Sequence, residues 1–189
     1  MRDAFARTMF SDASKKFQQR AGSRAAYERM ARSGKSEERM REDGLGEFER
    51  EFIAARDSFY VATVTPDGWP YIQHRGGPVG FLSVLDDRTL VFADYSGNKQ
   101  YISTGNLTVN NKVALFLMDY PNQARLKIIG HARLLEPGED PELESRLLNE
   151  KGARVERIFV ITVVGYDWNC SQHIARRFTE QELNQQVYG

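Results

Sequence analysis

Residues 67–100 read DGWPYIQHRGGPVGFLSVLDDRTLVFADYSGNKQ and contain two strand patterns followed by a glycine-containing turn. The first pattern ends at Arg75, and the second leads into Ser-Gly-Asn-Lys-Gln at residues 96–100. A turn that opens a helix offers free backbone N–H groups and the positive end of the helix dipole, and Lys99 adds a full charge. Arg75 adds a planar guanidinium that suits a phosphate monoester. The stretch predicts a phosphate cradle, although Gly-Asn-Lys also occurs in ordinary turns.

Alternating apolar residues on both sides of this stretch predict an antiparallel β-protein. Strands are expected at 58–64, 69–75, 81–85, 89–93, 113–118, 125–135 and 157–164, with a tight turn at 66–68. The last strand is apolar on both faces, so a helix or an identical subunit must cover its second face, which favours a homodimer. The expected fold is mainly β with peripheral helices (α+β), a six- or seven-stranded antiparallel Greek-key barrel.

Helical patterns flank the predicted barrel and divide the chain into three parts. Residues 1–56 form an N-terminal helical extension, residues 57–178 the barrel, and residues 179–189 a C-terminal helix that the capping box Thr179-x-x-Glu182 opens. Inside the extension, one helix runs from Ser11 or Asp12 to about Arg32, and a second spans 47–56. The apolar side of the second helix carries Leu45, Phe48, Phe52 and Ala55. Shorter helices are expected at 99–109 and 139–150.

Composition excludes several classes of function. The chain has 189 residues, enough for one substantial core, with 26 basic residues balancing 26 acidic ones. Because no global positive field exists, nucleic acid and anionic membranes are not expected partners. The single cysteine, Cys170, fits a reducing compartment, and three histidines without a second cysteine argue against a closed zinc site. No apolar run of about 18 residues exists, so a cytoplasmic protein is expected.

Four blocks, in their order along the chain, resemble the pyridoxamine 5'-phosphate oxidase-like family of FMN-binding split barrels. The resemblance covers residues 47–177, about two thirds of the chain. The blocks are Asp67-Gly68-x-Pro70-x-x-Gln73-x-Arg75, Phe92-Ala93-Asp94-Tyr95-x-x-x-Lys99, Ala124-Arg125-Leu126-Lys127-Ile128-x-Gly130, and Trp168-Asn169-Cys170 with His173 and Arg177. The resemblance implies a homodimer that holds FMN at its subunit interface.

The family resemblance also implies a set of cofactor-binding residues. Gln73, His74 and Arg75 would run beside the ring and the ribityl chain, and Arg75 would also reach the phosphate. The backbone of Phe92, Ala93 and Asp94 would meet the polar edge or chain of the flavin, and Lys99 with Gln100 would neutralise the phosphate. Arg125 stands where the family usually has glutamine and would come from the second subunit. Trp168 and Arg177 would close the pocket.

The implied activity is that of an oxidoreductase in which the flavin accepts hydride and the protein supplies orientation and electrostatics. The tail at residues 176–178 reads Arg-Arg-Phe, where pyridoxamine phosphate oxidases carry an Arg-x-His pair. The resemblance therefore favours the general FMN-binding members, acting on an unidentified small substrate or nicotinamide donor. Two alternatives stay open: a non-enzymatic FMN-binding or redox-sensing dimer, and a split barrel that holds haem or a deazaflavin.

The catalytic residues are left open at this point. His74 is either a proton donor to the flavin or substrate, or a strand residue that faces solvent. Cys170 has no cation closer in sequence than Arg176 to lower its thiol pKa, so nothing in the sequence assigns it a redox role.

Overall fold

Seven strands and six helices make up the described part of the computed structural model, residues 3–32, 44–147, 154–168, 172–180 and 182–183. The helices are α1 (Asp3–Met9), α2 (Asp12–Arg20), α3 (Arg24–Arg32), α4 (Glu47–Ala54), α5 (Ile102–Leu107) and α6 (Pro141–Leu147). The strands are β1 (Ser58–Val64), β2 (Pro70–Gly76), β3 (Ser83–Val84), β4 (Thr89–Tyr95), β5 (Lys112–Asp119), β6 (Ala124–Leu135) and β7 (Val155–Trp168).

The strands form one antiparallel sheet in the order β2-β1-β5-β6-β7-β4-β3. The β1–β2 hairpin pairs Ser58 with Gly76 and Val64 with Pro70. Its turn uses Gly68 at φ +87°, a left-handed conformation that glycine adopts without strain. The expected α+β antiparallel barrel is confirmed, with seven strands among the described residues. The strand expected at 81–85 is shorter, because only Ser83–Val84 pairs with β4.

Side-chain alternation places the core inside the curved sheet. Phe59, Val61 and Thr63 of β1 are all at most 1% exposed, whereas Tyr60 between them faces outward. On the other side of the core, Phe92 of β4 stacks on Phe159 of β7 with ring centres 4.7 Å apart. Stacked and edge-to-face aromatic pairs of this kind stabilise a core beyond the area that they bury.

The chain itself covers both faces of β7. Ile158 and Val160 point away from the barrel interior and pack in a second cluster with Leu143 and Leu147 of α6. Further along the strand, the backbone of α1 passes over Gly165, where a Cβ atom would lie 2.7 Å from the Phe5 nitrogen. Of the two covers that the sequence left open, the helix is therefore the one found over Ile158 and Val160, and β7 gives no argument for a second subunit.

The N-terminal helices differ from the sequence expectation in one respect. A single helix was expected from Ser11 or Asp12 to Arg32, but the structure breaks it into α2 and α3 at Gly22, whose φ is +74°. The N-cap was expected correctly, because Ser14 N donates a hydrogen bond of 3.2 Å to Ser11 Oγ. The break occurs because a left-handed residue cannot continue a right-handed helix.

Helix α4 packs only partly as expected: Leu45 is buried and Phe52 packs on the core, but Phe48 does not lie on the buried side. Phe48 is 64% exposed, whereas Glu49 is 4% and Ile53 0% exposed. Glu49 is buried because its carboxylate accepts hydrogen bonds from Gly46 N at 3.1 Å and from Trp168 Nε1 at 2.9 Å. Apolar spacing alone placed Phe48 wrongly and missed Glu49, because the burial of a glutamate depends on hydrogen-bond partners that the spacing does not show.

The close approach at Gly165 leads to a testable prediction. Replacing Gly165 with alanine should displace α1 from β7, because the new Cβ would overlap the Phe5 backbone. Trypsin should then cleave after Arg7 faster than in the wild type, while the barrel keeps its cooperative unfolding transition. Gly105→Ala is the control, because no described atom lies within 4 Å of its Cβ position. Equal cleavage rates in the Gly165 variant and the wild type would contradict the prediction.

Candidate functional site

A polar cleft of about 160 Å³ lies between β2, β4, α5 and the loop that joins β4 to α5. Strand β2 is one edge of the sheet and β4 lies next to the other edge, so the cleft opens where the curved sheet is split. Four of the predicted cofactor-binding residues line it: Gln73, Arg75, Asp94 and Lys99. Its other lining residues are Tyr95, Gly97, Asn98, Tyr101, Ser103, Thr104 and Glu156.

An ion-pair network forms one wall of the cleft. The Arg75 guanidinium makes a short hydrogen bond through Nη1 to Asp94 Oδ1, and Arg157 Nη1 donates to Asp94 Oδ2 at 2.9 Å. These side chains are 7–15% exposed, with Asp94 the most buried. The Arg75–Asp94 pair joins the edge strand β2 to β4, across the split in the sheet.

The two guanidiniums have more donors than one carboxylate can satisfy. Arg75 Nε and Arg157 Nε are both buried and have no hydrogen-bond partner among the described residues. Arg75 also lies over the Phe159 ring, 5.2 Å from its centre, which fixes the guanidinium from the core side. Since nearly all buried donors in proteins are paired, unsatisfied guanidinium donors beside a cleft favour an anionic ligand.

The loop before α5 corrects the expectation about the helix start. A helix was predicted from Lys99, but α5 begins at Ile102 because Lys99 and Tyr101 adopt left-handed conformations with φ of 57° and 51°. Asn98 Oδ1 accepts the backbone N–H of Gln100 at 3.1 Å and stabilises this turn. The positive end of a helix therefore does not lie at Lys99, and the cation of its side chain is what the loop contributes to the cleft.

Two short polar side chains of α5 were not predicted from the sequence: Ser103 lines the cleft, and Asn106 lies outside its lining. Ser103 Oγ donates to Gln73 Oε1 at 2.8 Å, and Asn106 Nδ2 donates to Thr63 Oγ1 at 2.9 Å. Both α5 residues are buried, at 1% and 5% exposure. Their spacing of three residues on a helix next to Lys99 was the available sequence signal, because residues at i and i+3 share a helix face.

An apolar surface lies on the outside of the sheet, across β2, β1, β5 and β6. Tyr60 and Ile72 are 40% and 66% exposed there, and with Phe116 they line a groove of about 590 Å³. Two predicted site residues lie on this outer face and not in the cleft. The His74 ring contacts Tyr60 at 5.6 Å between centres, and the Arg125 guanidinium lies 5.8 Å from the centre of Phe116.

The remaining predicted residues lie elsewhere. Trp168 packs on α4, with ring centres 4.7 Å from Phe52, and its indole N–H binds Glu49. Arg177 lies 4.9 Å from the centre of the Tyr120 ring, beside a second cleft of about 440 Å³.

Three predicted residues belong to β4 and the loop after it. Phe92 is in the barrel core, Ala93 packs in the cluster under α6, and Gln100 is exposed outside the cleft lining. Their backbone roles toward a flavin stay predictions.

Three further sequence expectations concern a metal site, Cys170 and a membrane span. No group of three or more potential metal ligands occurs among the described residues. Cys170 lies outside the described residues. Among the helices in the described ranges, none is long and apolar enough to cross a membrane.

Comparison with known proteins agrees with this fold. The family model of pyridoxamine 5'-phosphate oxidase matches residues 45–165. No curated protein matches the chain.

Solved structures with the same fold include HupZ of Group A Streptococcus, which is 18% identical with a TM-score of 0.55. That match covers 71% of this chain and 99% of HupZ. A candidate pyridoxamine 5'-phosphate oxidase from Lactobacillus delbrueckii is 21% identical with a TM-score of 0.51, over 66% of this chain and 94% of that one. At these identities the structures show a shared fold alone.

Proposed function

The chain belongs to the pyridoxamine 5'-phosphate oxidase family, and from this premise we propose that it is an FMN-binding oxidoreductase. In this proposal the polar cleft holds the phosphate of FMN, and two copies of the chain enclose the ring. The substrate is a small molecule or a nicotinamide donor. Bound FMN would supply hydride acceptance, so the protein needs no nucleophile of its own.

The observation that carries the proposal is the convergence of Arg75 and Lys99 in one cleft, beside the hydroxyl of Thr104. Guanidinium, ammonium and hydroxyl groups are the donors that bind a phosphate monoester. The buried Arg75 Nε, which has no partner among the described residues, adds a donor that such a ligand would satisfy. These residues therefore fit the phosphate end of FMN.

The size of the cleft supports the part of the proposal that concerns the dimer. Pockets that hold a cofactor or a drug-sized ligand usually enclose about 300–1,000 Å³. The cleft encloses about 160 Å³, enough for the phosphate and its neighbouring atoms but not for the flavin ring. A second copy, packed through the apolar surface of β2, β1, β5 and β6, would supply the missing wall. Arg125 and His74 lie on that surface, which supports a role for them at the subunit interface.

Within this arrangement the chain's own residues bind and orient the cofactor. Arg75 and Lys99 would hold the phosphate, and Asp94 with Phe159 would hold the Arg75 guanidinium in place. The Ser103–Gln73 hydrogen bond fixes the amide of Gln73 on the cleft floor, where the ribityl chain would pass. Trp168 has its indole N–H engaged by Glu49, so we assign it to the packing of α4.

The absorption spectrum of the purified protein, before and after addition of FMN, tests the proposal. We expect flavin bands that persist through gel filtration, at one FMN per chain in a dimer. Anaerobic NADH or NADPH should bleach the bands, and air should restore them. Retained flavin that no donor reduces would support the non-enzymatic binder. A haem or deazaflavin spectrum in place of flavin bands would overturn the proposal.

A further inference from the structure

The charges that line the polar cleft cancel. Among the described lining residues, Arg75 and Lys99 are the cations, and Asp94 and Glu156 are the carboxylates. A site whose charges cancel has little net attraction for an anion, and a carboxylate next to a phosphate repels it. The two lining cations are therefore not sufficient to make the cleft attractive to a phosphate dianion.

Arg157 lies directly behind the cleft wall and contacts several of its residues. It is 12% exposed and does not itself line the cleft. Its Nη1 donates to Asp94 Oδ2 at 2.9 Å and to Thr104 Oγ1 at 3.3 Å, and its Nη2 lies 3.6 Å from Glu156 Oε2. The guanidinium also lies 5.0 Å from the centre of the Tyr101 ring. One cation thus touches both of the carboxylates that line the cleft.

We propose that Arg157 is a positioning residue that sets the charge of the cleft: its positive charge offsets one of the two negative charges of Asp94 and Glu156, so that the cleft keeps a net positive charge for a phosphate monoester. The inference rests on the proposed function and deepens it. Arg157 acts through the two carboxylates, since it lies behind the lining residues. Together, Arg75, Lys99 and Arg157 exceed Asp94 and Glu156 by one positive charge. Burial of most of these side chains weakens the screening of this charge by solvent.

A purely structural role makes a different prediction. Asp94 and Arg157 are direct partners across the β4–β7 ladder, so their ion pair also ties two strands together. If the pair only stabilised the sheet, its loss would weaken the binding of FMN and of riboflavin equally. A role in the charge of the cleft affects FMN alone, because riboflavin is the same molecule without the phosphate. The ratio of the two dissociation constants, riboflavin over FMN, separates the two roles.

The experiment measures this ratio by quenching of flavin fluorescence in the full chain and its variants. Arg157→Met should lower the ratio about tenfold or more, because Asp94 and Glu156 would then oppose the phosphate. Arg157→Lys, which keeps the charge, should retain most of the preference for FMN. Adding Asp94→Asn to Arg157→Met should restore much of it by removing one uncompensated carboxylate. An unchanged ratio in Arg157→Met, or no restoration in the double variant, would overturn the proposal.

Arg56→Met is the matched control. Arg56 donates to Asp119 at 2.9 Å, and this ion pair is buried to a similar degree away from the cleft. The control variant should lose stability without a change in the ratio. If Arg157→Met does not fold, Glu156→Gln alone serves instead: it should raise the ratio, and an unchanged or lower ratio would overturn the proposal.

Failure of the proposed function would give a distinct result. In that case the wild type would bind no flavin, or it would bind FMN and riboflavin equally well. Inorganic phosphate would then be the probe. It should raise the thermal unfolding temperature of the wild type more than chloride does at the same ionic strength. Arg157→Met should abolish this difference between the two anions. No stabilisation of the wild type by phosphate, or equal stabilisation of both proteins, would contradict the role of Arg157.

Discussion

Replacement of both Arg75 and Lys99 by alanine should lower the affinity for FMN about 100- to 10,000-fold while the barrel still folds. Each residue is expected to make a charge-assisted contact with the phosphate, and such contacts contribute about 1.5–3 kcal/mol each. The fold should survive because Asp94 keeps its hydrogen bond to Arg157 when Arg75 is removed. Titration of FMN against each protein, followed by fluorescence quenching, measures the loss.

A second pair of cations provides the control for this experiment. Lys16 and Arg20 are exposed on α2, outside the lining of the cleft and of the apolar groove, and their joint replacement by alanine removes the same charge from the chain. The control should bind FMN within about twofold of the wild type, since exposed charges at a distance are screened by salt. Unchanged affinity in the Arg75 and Lys99 variant, or an equal loss in the control, would show that the phosphate does not bind in this cleft.

The largest expected loss of stability follows from Phe159→Ala. Phe159 is 0% exposed and stacks on Phe92 at 4.7 Å in the centre of the barrel, so its removal leaves a cavity that the strands cannot close. We expect the free energy of unfolding to fall by about 3–5 kcal/mol. Because Phe159 also lies under the Arg75 guanidinium, the variant should bind FMN more weakly even where it is folded. Urea unfolding followed by circular dichroism gives the change in free energy.

Phe48→Ala is the matched control, since it makes the same substitution at a residue that is 64% exposed. Its unfolding free energy should change by less than about 1 kcal/mol, because little apolar area leaves the core. This control also tests the buried face of α4, since the sequence pattern had placed Phe48 on the packed side. A loss at Phe48 as large as the loss at Phe159 would show that α4 packs through Phe48 in solution.

The fold could be predicted from the sequence wherever side-chain alternation was clear. Strand β1 buries every second residue from Phe59 to Thr63, and this period-two pattern was enough to identify the strand and to separate its two faces. The turn with Gly68 was equally predictable from the sequence, because few residue types fit its backbone conformation. The start of α5 was not predictable from composition, since it depends on left-handed conformations at Lys99 and Tyr101, which residues other than glycine seldom adopt.

The candidate site could be predicted only in part, for a physical reason. Arg75 and Lys99 were predicted from their residue types to share a phosphate cradle, and Gln73 and Asp94 were predicted from the family resemblance; all four line one cleft. Arg157 was missed because its role depends on a cross-strand contact with Asp94, 63 residues earlier in the chain.

The packing of Trp168 shows a second reason why the sequence predicted the candidate site only in part. Its indole N–H binds Glu49 of α4, which lies 119 residues away in the chain. A motif near the C-terminus gave no sign of this partner. Long-range pairings of this kind are fixed by the register of the folded sheet and by helix docking, which a single sequence does not display.

The structure of the protein co-crystallised with FMN tests the central claim most directly. We predict that phosphate oxygens lie within hydrogen-bond distance, about 2.7–3.2 Å, of Lys99 Nζ and of the Arg75 guanidinium, at the split between β2 and β4. A flavin whose phosphate binds elsewhere, for instance beside Arg177 and Tyr120 in the second cleft, would contradict the account.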